Sequence, residues 1–399
     1  MLEERIRRHP ADRFPIQHAT AQFHLGLALM ETNRFDDAER ALAGSARLFA
    51  DAGLGTERAK AENALGSLLR VRGRLDDAER AFARAITGFE AAGMHLELGA
   101  ARFNRGLVQR ERGDLDGALR SFEQAAELLG RDSAPAQAAA ASRELGTTLM
   151  LADDPEAAAR VLDRSLELAR AIDDPEAVGG AANALGLAHL RTGHPEQAVE
   201  AFETALTAHP RSVRAERYAM TKANLALALE RAGEPAHARL SANQALSVTS
   251  APDAVRTEAS GVLERLGPGH GDLVRVLERE SRERWPTVLR DEVESWIGRE
   301  PDQRRRAASD WISAAVEHRT APDLAEAWLA ALLELPPAQM DVVVEATMDA
   351  LADGPAGKRD EFRALTARAM LAFHEPQALR LQRVFESIAA ARGGPTGWS

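Results

Sequence analysis

The sequence predicts an all-α fold built as a solenoid of stacked helical hairpins, and three observations carry that expectation. A step that ends in a small residue returns at a fixed interval of 40 residues: Leu25-Gly26, Leu65-Gly66, Arg105-Gly106, Leu145-Gly146, Leu185-Gly186 and Leu225-Ala226. Three further columns keep pace with it through all six copies. The composition is rich in alanine and leucine, with aromatics at only 5% of 399 residues, which suits helices packed through small side chains rather than a β-sandwich.

The columns have a physical reading. Thirteen positions after the start of each step stands an alanine: Ala38, Ala78, Ala118, Ala158, Ala198 and Ala238. Seventeen positions after it come Leu42, Phe82, Phe122, Leu162, Phe202 and Ala242, and twenty after it Ser45, Ala85, Ala125, Ser165, Ala205 and Ala245. Small residues on both helices let a pair approach closely, and the large column fills the space between successive pairs. Between the helices sit Asn33, Gly73, Gly113, Asp153, Gly193 and Gly233; glycine and asparagine tolerate the left-handed conformation that ends a helix. Asp36, Asp76, Asp116, Glu156 and Glu196 then place negative charge near the start of the second helix, where its dipole favours it, and Pro155, Pro195 and Pro235 suit the first helical position. The pairs Asp153-Asp154 and Asp173-Asp174 precede prolines at helix starts, so they read as N-caps rather than catalytic carboxylates.

These columns, Leu-Gly on the first helix and Ala…Phe…Ala on the second, resemble the tetratricopeptide repeat. The resemblance covers residues 16–248, with Pro252 to Leu266 as a following cap helix. The common period is 34 residues; the period of 40 resembles the extended form of kinesin light chains, LGN-type polarity adaptors and many bacterial regulators. The resemblance implies a right-handed α-solenoid of six hairpins, each stabilised by its neighbours, with the first helices lining a concave groove that holds a peptide or protein segment. Carried over position by position, the groove residues are Lys60, Asn63, Arg70, Asn104, Arg110, Arg143, Asn183, Arg191 and Asn224. Asparagine amides can bond a peptide backbone and arginines can grip carboxylates, so the expected guest carries acidic groups.

After Leu266 the register is lost. Residues 1–15 read as an N-terminal extension, 16–266 as the six repeats and cap, 267–272 as a Gly-rich linker, 273–392 as a C-terminal helical domain and 393–399 as a disordered tail. Breaks at Pro286, Pro301, Pro322, Pro336-Pro337, Gly354-Pro355 and Pro376 divide the C-terminal part into six or seven short helices. Trp285, Trp296, Trp311 and Trp328 all fall there, as core or as anchors of a homo-oligomer interface.

Several functions are excluded or unsupported. A net charge of −11 disfavours binding to nucleic acid. The absence of cysteine excludes disulfides and thiolate chemistry. No secretory signal and no 18-residue apolar run is present, so the expected location is the cytoplasm, with no membrane contact. Lys60, Lys222 and Lys358 are the only lysines, a bias that points to a GC-rich bacterial coding sequence. Gly354 to Arg359 lacks the first glycine and the Ser/Thr of a phosphate loop, and His189 and His194 miss the spacing of a metal pair on one helical face. No catalytic, cofactor or metal site emerges. The leading expectation is a non-enzymatic interaction scaffold. The alternatives are a structural subunit of a larger assembly, and a sensor or enzyme with a site in the C-terminal helices, which a deep pocket with convergent titratable groups would favour.

Overall fold

The computed structural model describes residues 2–131, 134–392 and 398; among them are twenty-one helices and no strand. The chain forms two compact units, 1–193 and 194–399. The division falls in the turn after the tenth helix, and the Gly-rich segment 267–272 lies inside the second unit.

In the first unit, α1 (Leu2–Arg8) precedes four hairpins: α2 (Pro15–Glu31) with α3 (Phe35–Asp51), α4 (Gly55–Val71) with α5 (Leu75–Ala92), α6 (His95–Glu111) with α7 (Leu115–Arg131), and α8 (Pro135–Leu151) with α9 (Pro155–Ala171). The helix α10 (Pro175–Arg191) completes it. The 40-residue period is thus two helices of 17 residues joined by connections of three, with α5 one residue longer. Each second helix packs between its own first helix and the next one, and successive first helices also touch directly, α2 on α4, α4 on α6, α6 on α8 and α8 on α10.

The glycine of the repeated step is where the two helices of a hairpin come closest. A Cβ at Gly26 would lie 2.6 Å from Leu42, at Gly66 or Gly106 2.8 Å from Phe82 or Phe122, and at Gly146 2.5 Å from Leu162. The large column therefore seats against the glycine of its own hairpin. It also reaches the next one, since Leu42 and Phe82 share a buried cluster with Leu65, Leu68, Leu69 and Val108. Where the Ser/Ala column holds serine, the hydroxyl donates to the first helix: Ser45 Oγ to Ala19 O at 2.9 Å and Ser165 Oγ to Ala139 O at 2.8 Å.

The turn residues behave as expected. Gly73, Gly113, Gly193 and Gly233 have positive φ, as do the non-glycines Asn33 and Asp153. The aspartate pairs divide their labour. Asp154 and Asp174 accept backbone N–H groups of Ala157 and of Glu176 and Ala177, while Asp153 and Asp173 occupy the left-handed position at φ 62° and 53°.

The second unit begins with α11 (Pro195–Ala208), α12 (Ala215–Arg231), α13 (Pro235–Leu246) and α14 (Asp253–Leu266). Seven more helices follow: α15 (Asp272–Arg279), α16 (Trp285–Ile297), α17 (Pro301–Glu317), α18 (Ala321–Glu334), α19 (Pro337–Asp353), α20 (Ala356–Met370) and α21 (Glu375–Ala391). Their packing differs from that of the hairpins. From α15 onward each helix leans chiefly on the one two places along, α17 on α19, α16 on α18 and α18 on α20.

One apolar core runs from Leu240 on α13 to Trp398. Trp285, Trp296, Trp311 and Trp328 are all buried in it, so their indoles fill the core, and an interface on these helices would have to use other side chains. Trp398, within the segment expected as a tail, is also buried, its ring 5.0 Å from that of Phe385; residues 393–397 and 399 of that segment lie outside the described residues.

Buried polar joints tie the segment 267–272 and α16 to α13. Arg239 donates twice to Asp272, at 2.7 and 2.6 Å, with Gly269 pressed against the pair. Glu292, only 2% exposed, accepts from Gln244 (3.1 Å), Trp296 Nε1 (2.9 Å) and Arg299 (2.7 Å). Such a carboxylate is tolerable in a core because its lone pairs are matched by donors.

Two predictions follow from the hairpin geometry. Gly106→Ala should destabilise the chain by about 1–3 kcal/mol through overpacking. Combined with Phe122→Ala, the pair reproduces the Ala226/Ala242 combination of the sixth repeat, so the double substitution should cost less than the two singles together; additive losses in denaturant titrations would overturn the contact. Asp173→Gly should raise stability by about 0.5–1 kcal/mol by relieving the left-handed conformation, and a lowered thermal midpoint would contradict it.

Candidate functional site

The first helices of unit 1 present the residues that sequence places in a groove. Lys60 on α4 is exposed. Asn63 is half-buried, with Oδ1 enclosed and without a hydrogen-bond partner. Asn104 on α6 is half-buried and Asn183 on α10 is buried. Asn224 belongs to α12 of the other unit. Arg191 is exposed and pairs with Asp153, the left-handed turn residue of the preceding hairpin, at 3.3 Å.

Arg70, Arg110 and Arg143 are brought into a run of ion pairs across α4, α6 and α8. Arg70 reaches Glu111 at 2.6 Å. Arg110 reaches Glu144 at 2.8 Å, donates to Thr147 Oγ1 at 3.2 Å and lies 5.6 Å over the Phe122 ring. Arg143 pairs with the same Glu144 at 3.1 Å and packs beside Gly180 of α10. Glu111 and Glu144 thus occupy carboxylate positions that sequence reasoning assigned to a guest. Neither was singled out from sequence, because each sits one place outside the columns used: Glu144 just before its leucine, and Glu111 six after Arg105. The same reasoning passed over Val71, Leu151 and Leu187, large apolar side chains exposed on first helices.

A second concentration of chemistry lies in unit 2, in a cavity of about 700 Å³ bounded by α11, the 210–212 turn, α12, α13 and α16. Lys222, 5% exposed, pairs with Asp291 at 2.7 Å and stands 5.4 Å over the ring of Tyr218. Arg284 pairs with Glu203 at 2.6 Å on the rim. His237 is shifted down to about 4 by burial, helped by the charges of Lys222 and Arg284, so it is neutral at pH 7. Burial raises the Tyr218 phenol and the Glu294 carboxyl, the latter helped by neighbouring Asp291. These groups come from four helices up to 94 residues apart in the chain, between Glu200 and Glu294, and no local motif announces them. Among the described residues no three His, Asp or Glu side chains gather to hold a metal ion, and no helix is long and apolar enough to cross a membrane.

Hairpins of constant length, closed by glycine contacts and stacked first helix to first helix, define an α-solenoid of the scaffold class. Residues 57–130 and 137–211 match the tetratricopeptide repeat in one of its forms, and residues 183–255 match it in another. The chain is a tetratricopeptide-repeat protein. No curated protein matches it in sequence. Among solved structures it is similar to BtubC (BKLC) from P. vanneervenii, at 16% identity over 65% of this chain and 92% of that one, with a TM-score of 0.45. It is also similar to pilF of Pseudomonas aeruginosa, at 14% identity over 66% and 97% with a TM-score of 0.43. A putative kinesin light chain of Podosopora anserina, with nearly identical TPR-like repeats, is similar at 16% identity over 52% and 92%, with a TM-score of 0.40.

The His237 shift predicts a pH dependence. Its folded pKa lies below its ordinary value of 6.5, so the unfolded chain takes up the proton first as pH falls. The associated stability is present above about pH 6.5 and lost as pH drops toward about 4. A His237→Gln chain should lose less stability than the parent over that interval, and parallel curves in acid-unfolding titrations would contradict the assignment.

Proposed function

We propose that this chain is an adaptor whose first-helix face in unit 1 holds a segment of another protein. Tetratricopeptide repeats serve generally as protein-interaction scaffolds; the location of the site is the new element. It rests on one comparison internal to the sequence. The columns that pack are nearly constant and buried, whereas the less buried columns of the first helices change from repeat to repeat. Two before the leucine position the residues run Phe23, Asn63, Phe103, Arg143, Asn183; two after it, Leu27, Ser67, Leu107, Thr147, Leu187. Packing alone explains the first set. The second set, mostly half-exposed, forms a non-repeating surface suited to reading one particular partner.

The guest is acidic or mixed in charge. Arg70, Arg110 and Arg143 outnumber Glu111 and Glu144, and an acidic segment would compete with those glutamates for the guanidinium groups. Exposed Val71, Leu151 and Leu187 supply apolar anchors beside them. To test this, the chain and a Val71→Ser/Leu151→Ser/Leu187→Ser variant are used for affinity capture from the native lysate with quantitative mass spectrometry. The variant should retain the specific partners at about a tenth of the parent level, a loss near 1.4 kcal/mol, with an unchanged thermal midpoint. Equal retention would remove the first-helix face as the site.

A further inference from the structure

The first helices of unit 1 carry a second pattern, laid across the repeats rather than along them. Two places after each leucine position stand Leu27, Ser67, Leu107, Thr147 and Leu187; six places after it stand Glu31, Val71, Glu111, Leu151 and Arg191. The two columns are four residues apart, so they share one face of each helix. Their apolar members alternate in opposite phase. The helices α2, α6 and α10 are apolar at the earlier position and charged at the later one, whereas α4 and α8 carry a hydroxyl at the earlier and an apolar side chain at the later. Every first helix thus offers one leucine or valine on this face, alternately one turn inside its end and at its last residue. Packing does not require them there: Val71 and Leu151 are 60% and 63% exposed, Leu187 37%, and Leu27 and Leu107 are half-buried.

These helices lie side by side, α2 on α4 through to α8 on α10. Packed helices are about 8–10 Å apart, and four residues along a helix cover about 6 Å. The five apolar side chains therefore trace a zigzag, each step advancing one helix and shifting by about one turn. Three residues of extended chain cover about 10 Å, and side chains three apart point to opposite sides of a strand. A strand crossing the helices with an apolar side chain at every third residue meets all five, sending one to the inner row and the next to the outer. An α-helix gathers its apolar side chains in one stripe, and every third residue of a polyproline helix returns to the same side, so both suit a straight row. Such a strand turns its backbone toward the face. The Ser67 and Thr147 hydroxyls, which donate within their own helices, keep acceptor lone pairs for its N–H groups. We propose that the first-helix face takes its guest in extended β conformation and reads an apolar side chain at every third residue, over a segment of about thirteen residues. This rests on the adaptor reading of the same face and adds the conformation and pattern of the guest.

The test selects from a displayed library of random 16-residue peptides on the immobilised full chain and, in parallel, on a Val71→Ser/Leu151→Ser chain. Both replaced side chains are largely in solvent, so the variant should keep the parent thermal midpoint. Peptides selected on the parent should carry apolar residues separated by three, six and nine. Those selected on the variant should carry them separated by six and twelve alone, since only the inner row remains. A parent-selected peptide should bind the variant about tenfold more weakly. Moving one of its apolar residues by a single place should weaken binding to the parent by a similar factor, because the side chain then points to the other side; if the variant's midpoint falls, these shifted peptides decide alone. Separations of three, four and seven, which belong to a helical guest, would overturn the proposal and leave the adaptor reading standing, as would the same separations on both chains or no preferred separation. If no peptide is selected, or all bind undiminished to the Val71→Ser/Leu151→Ser/Leu187→Ser chain, both readings fail.

Discussion

The contact between a glycine on one helix and a large side chain on its hairpin partner sets the geometry of the repeats. With Gly26, Gly66, Gly106 and Gly146 facing Leu42, Phe82, Phe122 and Leu162, the helices of each hairpin are held at one separation, and the large side chain is long enough to touch the next hairpin as well. Local pairing and stacking therefore depend on the same side chain. The helix length follows the same economy: the glycine stands twelfth in its helix and its large partner eighth in the next, so each hairpin closes within its body and leaves the turns free for surface charge. The ion pairs there, such as Arg74 with Glu39 and Asp77, lie in solvent and contribute little individually.

The second unit changes its means of cohesion after α14. Small-residue contacts give way to a tryptophan-rich core and to buried polar joints. A guanidinium seated on Asp272 or a carboxylate matched by three donors at Glu292 is directional in a way apolar packing is not, and loss of one partner leaves a buried charge unmatched. Helices that lean on alternate neighbours need such fixing, because no repeated step dictates their spacing.

What sequence made legible divides along the same line. Period, hairpin boundaries, turn positions and packing columns were readable because each repeats a local rule six times; even Asn33 and Asp153 stood where glycine stands elsewhere. The C-terminal helix count was readable from prolines, but not the pairing of alternate helices, which has no local signal. Arg70, Arg110 and Arg143 were expected to meet carboxylates, but not those of their own chain, since Glu111 and Glu144 are recognisable as partners only once α4, α6 and α8 lie side by side. The cavity was invisible for a stronger reason: Tyr218, Lys222 and Leu225 lie on α12 within a repeat and Asp291 and Glu294 on α16 beyond it, and nothing local in the chain joins the two.

That pattern bears on how a repeat protein acquires function. Positions that repeat are already committed to the stack, so specificity must come from positions where the repeats differ or where the stack meets something else. The first-helix face of unit 1 is the first kind: its own glutamates pair with the arginines, so the guest proposed for it would meet side chains already held in place and lose less freedom on binding. The hollow beside α12 is the second kind. There a helix outside the repeat closes over side chains that the hairpins would otherwise leave to solvent; burial lowers the His237 imidazole and raises the Tyr218 phenol, whose oxygen has no hydrogen-bond partner. A solenoid can change its first-helix face one repeat at a time, but the hollow depends on α11, α12, α13 and α16 together, so its chemistry can be altered only where those four elements remain in register.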